Sequence, residues 1–193
     1  TLLPPQIAVA AAVGKADILV TQMPKIAVIG TGDELVAINQ PVEPYQIRQS
    51  NVYAMQSALH LHGYRQVTRF HLRDDPEELK KRLAEILKAF DVLVLSGGIS
   101  AGKYDYVPGV LNALGVEVLF HKVSQRPGKP FWFGKSKDSK PVFGLPGNPV
   151  STQVGLYRYV LPYLQRCLGI TTIRTEFVQL RDDVDTKTNL TCF

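Results

Sequence analysis

The chain has 193 residues, 45% hydrophobic and 20% charged, with 15 glycines and 13 prolines, a globular composition that excludes fibrous, low-complexity and disordered classes. Its net charge of +5 is spread along the sequence without an aromatic-interleaved basic stripe, so nucleic acid is not an expected partner. Two cysteines and four scattered histidines give neither a disulfide framework nor a zinc spacing. With no apolar run of membrane-spanning length and no basic region ahead of residues 1–14, the chain reads as soluble and cytoplasmic.

In chain order, the apolar stretch 1–13, opened by Pro4-Pro5 and closed by Gly14, predicts a short helix belonging to an upstream unit, 1–24. Lys25-Ile-Ala-Val-Ile-Gly30 is a β-branched run ended by glycine, the pattern of a buried strand in a parallel sheet. A long loop over 31–49 precedes a helix at 50–62, with Val52, Met55 and Leu59 on one face and Gly63 as its stop. After a strand at 65–71, Asp75-Pro76-Glu77-Glu78 sets an N-cap, a proline at the first helical position and a capping-box glutamate together. The helix that follows turns Leu79, Leu83, Ile86, Leu87 and Phe90 to one side, and Asp91-Val-Leu-Val-Leu95 is an almost continuous hydrophobic strand. Next come a helix near 107–114, a strand at 116–121, a hairpin of 131–135 with 141–145, and a helix at 150–168 carrying Val154, Tyr157, Leu161 and Leu164. Residues 171–193 read as strand material of a C-terminal β unit too short to fold alone. The alternation over 25–170 predicts a three-layer α/β/α sandwich with a mostly parallel sheet, whose ligands bind outside the carboxyl ends of the strands.

Four loops occupy those ends. Thr31-Gly-Asp33-Glu34-Leu35 offers two carboxylates in a glycine-permitted turn, suited to a hydrated Mg2+ or to an acidic helix start. Ser96-Gly97-Gly98-Ile-Ser100-Ala-Gly102-Lys-Tyr-Asp105 has three glycines that let backbone N–H groups approach a phosphate, without the P-loop or dinucleotide spacings. Asp105 itself reads as a metal ligand or as the N-cap of the next helix. Arg126-Pro-Gly-Lys129-Pro130 sets two cations three residues apart on a proline-stiffened loop that suits an oxyanion, where the ordinary alternative is solvated surface charge. Leu145-Pro-Gly147-Asn148-Pro-Val-Ser151 runs from strand to helix, so Asn148, Ser151 and the backbone N–H groups can meet an anion or simply close a tight turn. His60, His62 and Lys80-Lys81-Arg82 read as solvated helix faces, and Cys167 as a packed or half-buried thiol.

Taken in order, Thr31-Gly-Asp-Glu-Leu35, Ser50-Asn51, the run from Asp91 to Tyr106, Arg126-Pro-Gly-Lys-Pro-Phe131 and Gly144-Leu-Pro-Gly-Asn-Pro-Val-Ser151 closely resemble the MoeA family of molybdopterin molybdotransferases, which includes the E domain of gephyrin. The resemblance spans residues 25–168. It implies a MogA-like molybdopterin-binding fold and the insertion of molybdate into adenylylated molybdopterin (molybdopterin-AMP) with Mg2+, releasing AMP. It further implies Asp33 and Asp105 at the Mg2+–nucleotide end with Glu34 nearby, and Gly97, Gly98, Ser100 and Gly102 lining the pterin and phosphate cradle. Arg126 and Lys129 match the pair that holds molybdate, Pro130 shapes that pocket, and Gly147, Asn148 and Ser151 are further contacts. Gln49 stands where many relatives carry Asp before Ser-Asn, which removes a possible carboxylate from behind the site. MoeA proteins are considerably longer and dimeric, with sites near the subunit interface. The chain is therefore expected to be part of a molybdotransferase, with 1–24 and 171–193 as edges of neighbouring domains. The same fold serves ATP-dependent molybdopterin adenylyltransferases, a gephyrin-like scaffold and competence proteins. Against these stand the paired-cation loop with Pro-Gly-Asn-Pro, the lack of a recognisable peptide groove, and the joint presence of Thr-Gly-Asp-Glu-Leu and Pro-Gly-Lys-Pro.

Overall fold

A computed structural model describes residues 2–99, 105–170, 178–179, 181–182 and 189–193. Their elements are α1 (Pro4–Ala12), β1 (Ile26–Thr31), β2 (Leu35–Val36), β3 (Ile47–Arg48), α2 (Ser50–Leu61), β4 (Val67–Leu72), α3 (Pro76–Ala89) and β5 (Val92–Ser96), followed by α4 (Val107–Ala113), β6 (Glu117–His121) and β7 (Gln125–Arg126). Then come β8 (Trp132–Lys135), β9 (Pro141–Leu145), α5 (Pro149–Gly155), a π turn (Leu156–Val160), α6 (Leu161–Cys167) and β10 (Thr191–Cys192). One sheet has the order β4-β1-β5-β9-β8-β6. Its first four strands run parallel, and β8 runs antiparallel to both β9 and β6, so β6 points with the parallel set.

Strand side chains alternate between faces, and both faces of this sheet are covered, which is why β1 and β5 are buried at every position and read as unbroken hydrophobic runs. Ile26 and Val28 pack with Val52, Met55 and Leu59 of α2 and with Leu156, Val160, Leu161 and Leu164 of the C-terminal helical run. Ala27 and Ile29 face Leu79, Leu83 and Ile86 of α3 and Val107, Val110 and Leu111 of α4. The expected three-layer arrangement is therefore what forms. The start of α3 is fixed as its sequence dictates: the Asp75 side chain accepts the Glu78 N–H at 2.7 Å, Pro76 follows the cap, and Lys88 sits in the last turn.

Several details differ from the sequence reading. The loop 31–49 contains the short parallel pair β2–β3. The helix expected over 150–168 widens into a π turn before Pro162, which has no N–H for the fourth residue back and whose ring crowds that carbonyl; the wider turn accommodates it. Cys167 is exposed, not packed, because Leu161, Leu164 and Leu168 take the inward positions and leave it on the flank. α1 buries no side chain. Of the strand material expected over 171–193, residues 171–177, 180 and 183–188 lie outside the described residues, and Thr191–Cys192 pairs in parallel with Gln125–Arg126.

Candidate ligand site at the carboxyl ends of the strands

Because β1, β5 and β9 are adjacent and parallel, their carboxyl ends meet at one edge of the molecule, and a cavity there is lined by Thr31, Glu34, Asn51, Ser96, Gly97 and Gly147 among others. The close approach of the loops requires glycine. Gly97 and Gly98 have φ of +96° and +63°. A Cβ on the first would stand 2.6 Å from the Thr31 carbonyl oxygen, and on the second 2.7 Å from the Thr31 hydroxyl. Gly97 also donates its N–H to the Leu145 carbonyl at 3.1 Å, tying the β5 loop to β9.

Asn51, in the first turn of α2, joins three of the elements. Its Nδ2 reaches the Ser96 hydroxyl at 2.9 Å, the Gly147 carbonyl at 2.8 Å and Thr152 Oγ1 at 3.2 Å. Thr152, fully buried, donates in turn to the Pro146 carbonyl at 2.6 Å. Asn148 caps α5, its Oδ1 accepting the Ser151 N–H at 3.1 Å, so both readings made of these residues place them at the same helix start. Thr31 Oγ1 is buried with no hydrogen-bond partner, the one side-chain atom of that kind among the described residues. Asn51 and Thr31 were visible in sequence only as parts of motifs, and Thr152 carried no local signal.

The acidic side of the site is built differently from the spacing. Asp33 is partly exposed and pairs with Arg73, Nε to Oδ1 at 3.1 Å, and the same oxygen accepts the Asp74 N–H at 3.4 Å. Partial burial raises the Asp74 carboxyl above the usual range, and the negative charges of Glu34, Asp33 and Asp105 push the same way, while a hydrogen bond involving Asp33 opposes them. Asp33, Glu34, Asp74 and Asp105 thus share one electrostatic neighbourhood, and Asp74 and Arg73 are its members that sequence reasoning missed. Tyr106, immediately before α4, is already in helical geometry and its side chain makes no capping hydrogen bond. Among the described residues no three His, Cys, Asp or Glu side chains group as metal ligands.

The cation loop lies beside the start of α5, since a Cβ on Gly128 would be 3.7 Å from the Ser151 carbonyl oxygen. Arg126 and Lys129 are exposed and Pro130 is half-buried; neither cation forms an ion pair with a described carboxylate. His121 Nε2 lies 3.0 Å from the Ile99 carbonyl, joining the end of β6 to the loop after β5. Ser100 and Gly102 lie outside the described residues.

Residues 27–166 match the family model described as "Probable molybdopterin binding domain". The chain belongs to the molybdopterin-binding domain family. It is similar to a molybdopterin molybdenumtransferase of Synechocystis sp., 46% identical over 149 residues that cover 77% of this chain and 38% of the relative. One from Nostoc sp. is 34% identical over 86% of this chain and 38% of its own length. The crystal structure of a molybdopterin biosynthesis MoeA protein from Pyrococcus horikoshii superposes with a TM-score of 0.72 at 37% identity, covering 87% of this chain and 41% of that one. The MoaB structure from a Thermus species shares the fold, with a TM-score of 0.56 at 19% identity over 77% of this chain and 96% of its own. The chain spans about two fifths of the length of the molybdenumtransferases it matches. No helix among its described residues is long and apolar enough to cross a membrane.

Proposed function

We propose that this chain supplies the molybdopterin-binding part of a cytoplasmic molybdopterin molybdotransferase, which inserts molybdate into adenylylated molybdopterin and releases AMP. The observation that carries this reading is the convergence of the β1, β5 and β9 loops on one cavity, with the Arg126–Pro130 loop beside them against the start of α5. The glycine turn at Gly97-Gly98 and the segment Gly147-Asn148-Pro149-Val150-Ser151 bring backbone close to the ligand, which suits the phosphate and pterin amides. Cleaving a phosphoanhydride and delivering an oxyanion both concentrate negative charge, and Arg126 and Lys129 offset it without a covalent nucleophile.

The carboxylates fit Mg2+. Their donors are all hard oxygens, and the mutual repulsion that adds to partial burial in raising Asp74 is what a divalent cation relieves. Mg2+ is commonly held by one or two carboxylates together with substrate phosphates, so a third protein ligand is not required. One or two of Asp33, Glu34 and Asp105 would hold it together with the substrate phosphates, and when bound it supplies charge neutralisation at the departing phosphate. Arg73 pairs with Asp33, Nε to Oδ1 at 3.1 Å, and fixes where that carboxylate sits. The unit proper is 25–170, with 1–24 and 171–193 as edges of neighbouring domains, and the working assembly is a homodimer.

The test is AMP release from adenylylated molybdopterin on adding molybdate, run with and without Mg2+ on the whole natural protein. Release that needs both, is abolished in Asp105→Asn and demands more molybdate in Lys129→Ala is the expected result. Release indifferent to molybdate, or consumption of ATP with free molybdopterin, would overturn the assignment.

A further inference from the structure

The cation loop is held from two directions by residues outside all the motifs named above. From the helical side, Gln125 is buried; its Nε2 donates to the Pro127 carbonyl at 3.0 Å and its Oε1 accepts from the Tyr159 hydroxyl. From the sheet side, β10 pairs with β7: the Thr191 N–H donates to the Ser124 carbonyl at 3.0 Å and the Phe193 N–H to the Arg126 carbonyl at 3.1 Å. The Phe193 ring lies 4.5 Å from the Arg158 guanidinium carbon, a cation–π contact. Arg158 and Tyr159 are consecutive residues of the π turn, so this widened turn presents one side chain to each of the loop's two holders. π turns of this kind recur at functional sites because the extra residue redirects side chains that a regular helix would place elsewhere.

Resting on the function proposed above, we infer that residues 191–193 form a clamp that presets Arg126 for the oxyanion substrate, with Phe193 as its positioning residue. Arg126 is exposed, and the Arg126 carbonyl is the very group that Phe193 holds. A loop fixed before the anion arrives loses less conformational freedom on binding than one that must be ordered by the anion itself, so the clamp lowers the molybdate concentration needed and leaves the chemical step alone. The segment does not enter the cavity; it acts through the backbone on either side of Gln125.

The experiment compares Phe193→Ala, Phe193→Leu and Phe193→Tyr with the parent in the whole natural protein, reading the molybdate dependence of AMP release and the molybdate dissociation constant by calorimetry. The alanine and leucine variants are expected to raise the molybdate KM and dissociation constant about 3- to 10-fold with kcat within about 2-fold of the parent, and tyrosine, which keeps the ring, to restore both. Thermal melts of each variant fix an assay temperature at which all are folded. Unchanged molybdate KM in Phe193→Ala, or a fall in kcat alone, overturns the clamp while leaving the function standing. A parent protein without molybdate-dependent AMP release overturns the function and the clamp with it.

Discussion

Replacing Asn51 by alanine removes one amide whose Nδ2 lies 2.8 Å from the Gly147 carbonyl, 2.9 Å from the Ser96 hydroxyl and 3.2 Å from Thr152 Oγ1. Its two N–H groups make two full hydrogen bonds, each contributing about 1 kcal/mol net, and a buried partner left unpaired costs about 1–3 kcal/mol more. The partners differ in what they lose. Gly147 is exposed and water replaces the amide at its carbonyl, and Thr152 keeps its bond to the Pro146 carbonyl at 2.6 Å. Ser96 is buried and retains only contacts of 3.4 Å to Pro146 and Thr152, so it carries most of the penalty. The sum is a loss of about 3–5 kcal/mol, which for a domain of this size lowers Tm by roughly 6–20 °C. Thermal unfolding followed by circular dichroism at pH 7 measures it. Asn51→Asp is expected to melt no higher than the alanine variant, because a carboxylate there opposes the Gly147 carbonyl. A Tm for Asn51→Ala within about 1 °C of the parent would refute the view that this amide joins the three loops.

Thr31→Val removes a buried hydroxyl that has no partner, so the same melts are expected to show a gain of about 1 kcal/mol; a loss would mean that the hydroxyl is bonded after all. Gly98→Ala forces a Cβ to 2.7 Å from the Thr31 hydroxyl and 2.8 Å from Val107 Cγ2 at a φ of +63°, and is expected to cost about 2 kcal/mol or more. Thr31→Val,Gly98→Ala double variants should be non-additive, since the two sites touch. The raised carboxyl of Asp74 binds its proton more readily in the folded chain than in the unfolded one, so its ionised form weakens the fold. That penalty is complete above the raised folded value and absent below the ordinary aspartate value of about 3.9. Asp74→Asn is therefore expected to raise Tm at pH 7, with the difference vanishing as the pH falls below that range. Saturating Mg2+ should narrow the same gap at pH 7, and an equal gap at every pH would remove ionisation as its cause.

Much of the framework was legible because it is written in local patterns. The cap and first turn of α3 are contiguous residues whose chemistry admits few other arrangements, and the unbroken hydrophobic runs at β1 and β5 announce strands buried on both faces. From strand, helix and strand again, the carboxyl-end rule singled out the loops after β1, β5 and β9, which meet at one cavity, before any strand order was known. Glycine spacing likewise marked Gly97 and Gly98, and the left-handed backbone there is the reason.

What the pattern does not contain is which distant groups meet. Asn51 reaches partners 45, 96 and 101 residues away, and Asp33 finds Arg73 40 residues on. Periodicity reports that a face is apolar, and a motif reports that a loop is polar; neither reports which loop stands opposite. That depends on the order β4-β1-β5-β9-β8-β6, in which β1 and β9 are brought to either side of β5 although more than a hundred residues of chain separate them. The sharing of charge among Asp33, Glu34, Asp74 and Asp105 follows from that order, and the seating of Phe193 on Arg158 beside the cation loop follows from the separate β7–β10 pair. Hydrogen bonds and Coulomb forces act over a few ångströms, so the sequence by itself determined the elements and the residue types of the site, and only the packed sheet decided their partners.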